Sequence, residues 1–225
     1  MKIAGLQKNS FVDYPGNLCA VVFTQGCNMN CFYCHNKPLI DNEKRNENIS
    51  SEDVLEFLKK RRSFLDAVVI SGGEPTMQKD LENFIKEVKK LKFKVKLDTN
   101  GTNPEVIESL ISKRLIDYVA MDIKAPFKRY QEFCGAKTDI NRIKKSIDIL
   151  MQDIIDYEFR TTFAPGLGFG DVLNMCNEIK GAKSYILQKC RGFEEMSNFI
   201  LFTDSIKSMN KMIKKVGTRG VENSA

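Results

Sequence analysis

The chain has 225 residues, 42% of them hydrophobic, and a formal net charge of +6. That length and composition suit one large α/β domain with a full core, and no apolar run approaches the roughly 18 residues of a membrane span. The lysines are not interleaved with aromatics and there is no Trp, which argues against a nucleic-acid surface.

Met1–Ser10 has no basic region followed by an apolar stretch, so no secretory leader is expected and a cytoplasmic chain with reduced thiols is. Residues 1–18 read as an N-terminal extension folding onto the main domain. They include the turn signature Phe11-Val12-Asp13-Tyr14-Pro15-Gly16. Ala20–Thr24 is apolar and β-branched, a buried strand. It runs into a loop where Cys27, Cys31 and Cys34 are spaced C-x3-C-x2-C. Loops at the carboxyl ends of strands are where open α/β sheets and barrels keep their chemistry. Four chemistries compete for these thiols. Disulfides are disfavoured in a reduced compartment. Covalent haem fits Cys31-Phe32-Tyr33-Cys34-His35 but leaves Cys27 without a role. Structural zinc has four donors if His35 joins, although paired C-x2-C knuckles are the usual pattern. An iron–sulfur cubane takes one thiolate per iron, so three cysteines leave one iron free for a ligand.

Asn42–Asn48 is polar and expected to be exposed. Ser50 or Ser51 caps a helix to about Arg62, with Val54, Leu55, Phe57 and Leu58 as its apolar face. The buried strand Ala67–Ile70 ends at Ser71-Gly72-Gly73-Glu74-Pro75, and a helix follows over Gln78–Leu91. Strand Phe93–Leu97 ends at Asp98-Thr99-Asn100-Gly101. Asn103 as cap and Pro104 at the first position open the next helix. Strand Ile116–Met121 ends at Asp122-Ile123-Lys124, and Phe127–Gly135 reads as an irregular linker. A helix over Asn141–Met151 precedes strand Tyr157–Phe163, which carries Arg160. The glycine-rich Pro165–Gly170, a helix over Asp171–Ile179 and strand Ser184–Leu187 come next. A final helix spans about Asp204–Lys215, capped by Thr203 or Asp204, and residues 217–225 read as a loose tail. Much of the positive charge lies in Lys59-Lys60-Arg61-Arg62 and in Lys86, Lys89, Lys90, Lys92, Lys94 and Lys96. These read as solvated helix faces, or as a docking face for an acidic electron carrier.

Strand then helix, repeated about six times without a composition break, implies a single domain over residues 1–225 with a mostly parallel sheet. Six units are too few for the eight of a closed barrel, so an open, partial (β/α)6 barrel is expected. The cysteine loop, Gly72-Gly73-Glu74, Asp98-Thr99-Asn100, Asp122-Ile123-Lys124, Arg160 and the segment after Leu187 then share one rim. Singly, each reads as turn glycines or helix caps; together, beside three cysteines, they read as a site.

The cysteine motif with Ser71-Gly72-Gly73-Glu74-Pro75 resembles the radical S-adenosylmethionine (SAM) superfamily. Asp13-Tyr14-Pro15-Gly16, Gln25-Gly26-Cys27, Cys31-Phe32-Tyr33-Cys34-His35-Asn36 and Asp98-Thr99-Asn100-Gly101 look like its glycyl-radical-enzyme activating enzymes. Within these, the likeness is greatest to activators of anaerobic ribonucleoside-triphosphate reductase, and it runs from about Lys8 to Arg191. The resemblance implies a [4Fe–4S] cluster on Cys27, Cys31 and Cys34, whose free iron chelates SAM. It implies that Gly72, Gly73 and Glu74 meet the methionine amino group and that Asp98 and Asn100 lie near the ribose. It further implies that Asp122 and Lys124 meet the SAM carboxylate and that Arg160 contacts SAM; Asp98 and Asp122 are also close enough in the expected fold to hold a small cation. The implied partners are a glycyl-radical enzyme and a flavodoxin- or ferredoxin-type electron donor. The alternatives are a pyruvate formate-lyase-type activating enzyme, or an enzyme with a small-molecule substrate such as 7-carboxy-7-deazaguanine synthase. Leu187-Gln188-Lys189-Cys190 lacks the histidine that the pyruvate formate-lyase activator carries there. That departure leans against this partner and leaves Cys190 without a role.

Overall fold

A computed structural model describes residues 1–40, 49–192 and 206–220. Eight strands form one sheet in chain order. They are β1 (Ile3–Ser10), β2 (Cys19–Thr24), β3 (Ala67–Gly72), β4 (Lys94–Thr99), β5 (Tyr118–Asp122), β6 (Asp156–Phe163), β7 (Tyr185–Lys189) and β8 (Val216–Arg219). The helices between them include α1 (Lys37–Ile40), α2 (Ser51–Lys60), α3 (Leu81–Lys90), α4 (Pro104–Ser112), α5 (Tyr130–Cys134), α6 (Ile140–Met151), α7 (Phe169–Glu178) and α8 (Ile206–Met209). From β2 to β8 every pairing is parallel, as the strand–helix alternation implies. The hydrogen-bonded order ends at β1 and β8, so the sheet stays open along that seam.

Local sequence explains most of these elements. Ala67–Ile70 of β3 is wholly buried because the strand is covered on both faces. In α3 the buried Leu81, Phe84, Ile85 and Val88 form one stripe at helical spacing. Ser50 Oγ accepts from the Asp53 amide at 3.0 Å and caps α2. Pro104 opens α4 as expected, but Asn103 makes no side-chain cap. Its amide donates instead to Thr76 Oγ1 at 2.9 Å.

Three segments differ from the sequence expectation. The N-terminal extension contributes β1, antiparallel to β2 with Ile3 opposite Thr24 and Ser10 opposite Cys19. The supposed linker at 127–135 contains a 3-10 turn and α5, which ends at Gly135 with φ +60°. A Cβ on Gly135 would lie 2.3 Å from the Asn30 carbonyl, so glycine lets α5 abut the cysteine loop. The start of the tail expected over 217–225 forms β8 instead, parallel to β7, while residues 221–225 lie outside the described residues. Its Arg219 makes two hydrogen bonds to the buried Glu158 of β6, at 2.9 and 2.7 Å. Of the final helix expected over Asp204–Lys215, the described residues show Ile206–Met209 as helical. The polar stretch at 42–48 and the caps Thr203 and Asp204 lie outside the described residues.

Candidate active site

The carboxyl ends of the parallel strands surround a cavity of about 660 Å³. The cysteine loop forms one wall, seated on the glycine pair at the end of β3. Gly73 N donates to the Thr24 carbonyl at 2.9 Å, and Glu74 N to that of Gly26 at 2.8 Å. A Cβ on Gly73 would stand 2.0 Å from the Gly26 oxygen, and one on Gly72, where φ is +109°, 2.4 Å from Thr24 N. Close approach of the loop therefore requires both glycines, whatever they also offer to a ligand; both line the cavity.

Cys27, Cys31 and Cys34 all face this cavity. All seven cysteines are free thiols, which removes the disulfide reading. Burial pushes the Cys27 thiol up to about 11 and raises Cys34 as well. Cys31 is lowered, because the Cys134 thiol hydrogen-bonds to it from the end of α5. Among the described residues no three His, Cys, Asp or Glu side chains converge as single-ion ligands do. One zinc ion with Zn–S bonds of ~2.3 Å needs its sulfurs within roughly 3.8 Å of one another. A cubane spreads its thiolates, one per iron. The spread donors on one cavity wall fit the cubane better than zinc.

Opposite the loop lies a chain of buried charges. Arg160 donates to Asp98 Oδ2 at 3.1 Å and to Asp122 Oδ1 at 2.9 Å. Lys124 Nζ donates to Asp122 Oδ2 at 2.8 Å. Ser71 Oγ donates to Asp98 Oδ2 at 3.1 Å, and Lys96 Nζ stands 3.0 Å from Asp98 Oδ1. Burial works against the Asp122 charge, but Arg160 and Lys124 outweigh it and hold the carboxyl at about 2. Asp98 is lowered in the same way, burial being outweighed by Arg160 and Lys96. Lys124 is raised well above the usual range, chiefly because Asp122 outweighs its burial. The guanidinium of Arg160 bridges the two carboxylates, so a side chain stands where a small cation was expected. Three cations face two carboxylates. The surplus positive charge suits an incoming carboxylate.

Two expected ligand contacts take other roles. Glu74 is fully buried and absent from the cavity wall. Its Oε1 accepts from Thr76 N at 3.1 Å, from the Thr76 hydroxyl and from Thr99 Oγ1 at 2.7 Å, while Oε2 accepts from Asn100 N at 2.7 Å. It therefore ties the end of β3 to the end of β4, and does not reach a ligand amino group. Asn100 lines the cavity, but its amide donates to Asn28 Oδ1 at 2.8 Å and to Cys27 Sγ at 3.9 Å. Its oxygen accepts from Thr102 N at 3.0 Å. Asn100 thus braces the cysteine loop.

The sequence reading missed Lys96, placed there among surface lysines, and Cys134. Lys96 is two residues from Asp98 in a strand, so both point the same way; that parity was the available signal. Cys190 and Gln188, at the end of β7, line the cavity wall.

A family model described as the radical SAM superfamily matches residues 21–179. The chain belongs to the radical SAM superfamily. A protein of Methanocaldococcus jannaschii, named provisionally as a glycyl-radical enzyme activating enzyme, is 42% identical over 196 residues, covering 83% of this chain and 79% of that one. Another from the same organism, named provisionally as a GTP 3′,8-cyclase, is 27% identical over 206 residues, covering 88% and 68%. Among solved structures, Streptococcus suis SuiB bound to S-adenosylmethionine matches with a TM-score of 0.70 at 14% identity, covering 88% of this chain and 49% of that one. The chain thus spans about half the length of SuiB. QueE from Escherichia coli matches with a TM-score of 0.54 at 15% identity, covering 92% and 89%. The protein is a radical SAM enzyme of mostly parallel α/β fold, and the cofactors of its superfamily are a [4Fe–4S] cluster and SAM.

Proposed function

We propose that this radical SAM enzyme is an activase that generates a glycyl radical on a partner enzyme, anaerobic ribonucleoside-triphosphate reductase. The observation that carries the activase reading is the 42% identity to the provisionally named activating enzyme across about four-fifths of both chains. The choice of reductase rests on the motif likeness and on Leu187-Gln188-Lys189-Cys190 lacking the histidine that the pyruvate formate-lyase activator carries after its last barrel strand.

In this reading Cys27, Cys31 and Cys34 hold the cluster and leave one iron open to SAM. When bound, the cluster and SAM supply one-electron cleavage of the sulfonium S–C5′ bond and the hydrogen-atom abstraction that follows. The chain's own residues bind and orient. Lys124 and Arg160 receive the SAM carboxylate, and Asp98 lies toward the ribose. Gly72 and Gly73 present backbone to the methionine end. Asn100 acts through the cysteine loop it braces, and Glu74 holds the ends of β3 and β4 together beneath it. An extended glycine loop would enter along the open edges of the sheet at β1 and β8, a route that the strand order leaves unpaired. No general base is required of the protein; its task is to exclude water around the reacting groups. The electron comes from a flavodoxin- or ferredoxin-type donor. The seven free thiols fit a cytoplasmic chain, and no helix among the described residues is long and apolar enough to cross a membrane.

The test is anaerobic incubation of reconstituted protein, SAM and reductant with anaerobic ribonucleotide reductase. Electron paramagnetic resonance (EPR) should show a glycyl radical on the reductase, with 5′-deoxyadenosine formed. A radical on pyruvate formate-lyase instead would move the partner. SAM cleavage with no protein radical would point to a small-molecule substrate.

A further inference from the structure

Lys96 lies behind the site wall, in contact with the wall residue Asp98, and its side chain is 1% exposed. It stands near the start of β4, and its Nζ donates to the Asp13 carbonyl at 2.5 Å. Asp98 Oδ1, 3.0 Å from that Nζ, makes no hydrogen bond. Lys96 therefore acts on Asp98 as a buried ion-pair partner, while one of its three N–H donors is anchored on the turn after β1. The Tyr118 ring centroid, 5.8 Å away, supports the ammonium from another side. A buried ammonium persists only with compensation of this kind.

The charge of the whole chain depends on it. Without Lys96, Arg160 and Lys124 would balance Asp98 and Asp122, two against two. A neutral, mutually paired network attracts an anion weakly. With Lys96 the network carries one surplus positive charge, and Arg160 and Lys124 can turn to an incoming carboxylate without leaving a carboxylate of their own uncompensated.

We propose that Lys96 is a positioning residue for SAM. It neutralises Asp98 from behind and so frees the Arg160–Asp122–Lys124 chain to receive the SAM carboxylate, a task that an inorganic cation between the carboxylates would otherwise perform. This rests on SAM lying against that chain, as in the proposed function. It is independent of which protein is activated.

The experiment is an EPR titration of the reduced, cluster-loaded full chain with SAM, following the change in line shape. Iron content is measured alongside. The wild-type response tests the cofactor placement; the variants test Lys96. Lys96→Met should load iron normally and need about tenfold more SAM, the worth of about one charge-assisted contact. Lys96→Met/Asp98→Asn restores the surplus charge and should recover most of that loss. Replacing sodium and potassium by tetramethylammonium should leave the wild-type midpoint unchanged. The proposal is overturned if Lys96→Met titrates within twofold of wild type. It is also overturned if the double variant binds no better than the single one, or if wild type needs an alkali cation. Should Lys96→Met fail to load its cluster, the double variant decides: it should titrate within about threefold of wild type, and a midpoint about tenfold higher would overturn the proposal.

Discussion

Replacing Gly73 by alanine tests whether the glycine pair is a seat for the cysteine loop. The new Cβ would lie 2.0 Å from the Gly26 oxygen and 2.7 Å from its carbon, both main-chain atoms. Ordinary contact is about 3.4 Å, so one backbone must retreat by about 1.4 Å. Neither is free to do so. Gly73 N is bonded to Thr24 O, Glu74 N to Gly26 O and Gly26 N to Leu39 O, at 2.9, 2.8 and 2.7 Å. Overpacking costs about 1–3 kcal/mol, and loss of the Glu74–Gly26 bond about 1 kcal/mol more. The sum, about 2–4 kcal/mol, corresponds to a fall of roughly 10 °C in melting midpoint for a chain of this size. Gly26 precedes Cys27, so the same displacement moves the first thiol. The assay is apoprotein melting together with iron content after anaerobic reconstitution. We expect both to fall. A Gly73→Ala protein that melts within 2 °C of wild type and loads a full cluster would falsify the steric argument.

Single Cys27→Ala, Cys31→Ala and Cys34→Ala variants should each lose the reduced [4Fe–4S] signal and SAM cleavage, whereas Cys19→Ala and Cys176→Ala should keep both; retention by any of the first three removes that thiol from the ligand set. Asp122 sits at about 2 in the folded protein against 3.8 for a free carboxyl. The unfolded chain therefore binds the extra proton between those values, and stability present above about pH 4 is lost as pH falls toward 2. The loss is about 2 kcal/mol, and Asp122→Asn should show a flatter urea midpoint over that window. Arg219→Met leaves the buried Glu158 carboxylate with the Tyr118 hydroxyl but without its cation and should cost about 3 kcal/mol. Arg219→Met with Glu158→Gln should recover part of it, and equal melting of the two proteins would mean that β8 is not held by this pair.

Strands β2, β3, β5 and β7 were legible because each is a short, largely apolar run, and β3, Ala-Val-Val-Ile, could hardly be anything else. β8 was not, because Val-Gly-Thr-Arg is short, half-buried and carries a glycine, so its signal lies in Arg219 finding Glu158, 61 residues earlier. The segment 127–135 was read as irregular because α5 is a five-residue helix, too short for a periodicity to register.

The sequence by itself determined the kind of chemistry. Three thiols within eight residues are local, so their spacing constrains the metal whatever the fold. The strand–helix alternation likewise places them at a strand end. Tertiary structure decided which charges meet and which act at a distance. Asp122 and Arg160 face each other because β5 and β6 pair in that register, and Arg160 reaches Asp98 across 62 residues of chain. Glu74 turned inward to brace β4, and Lys96 entered the core that its lysine-rich neighbourhood disguised. In a parallel sheet buried on both faces, hydrophobicity does not tell which face a strand residue takes. Only the register does, and that register is set by packing across the whole sheet.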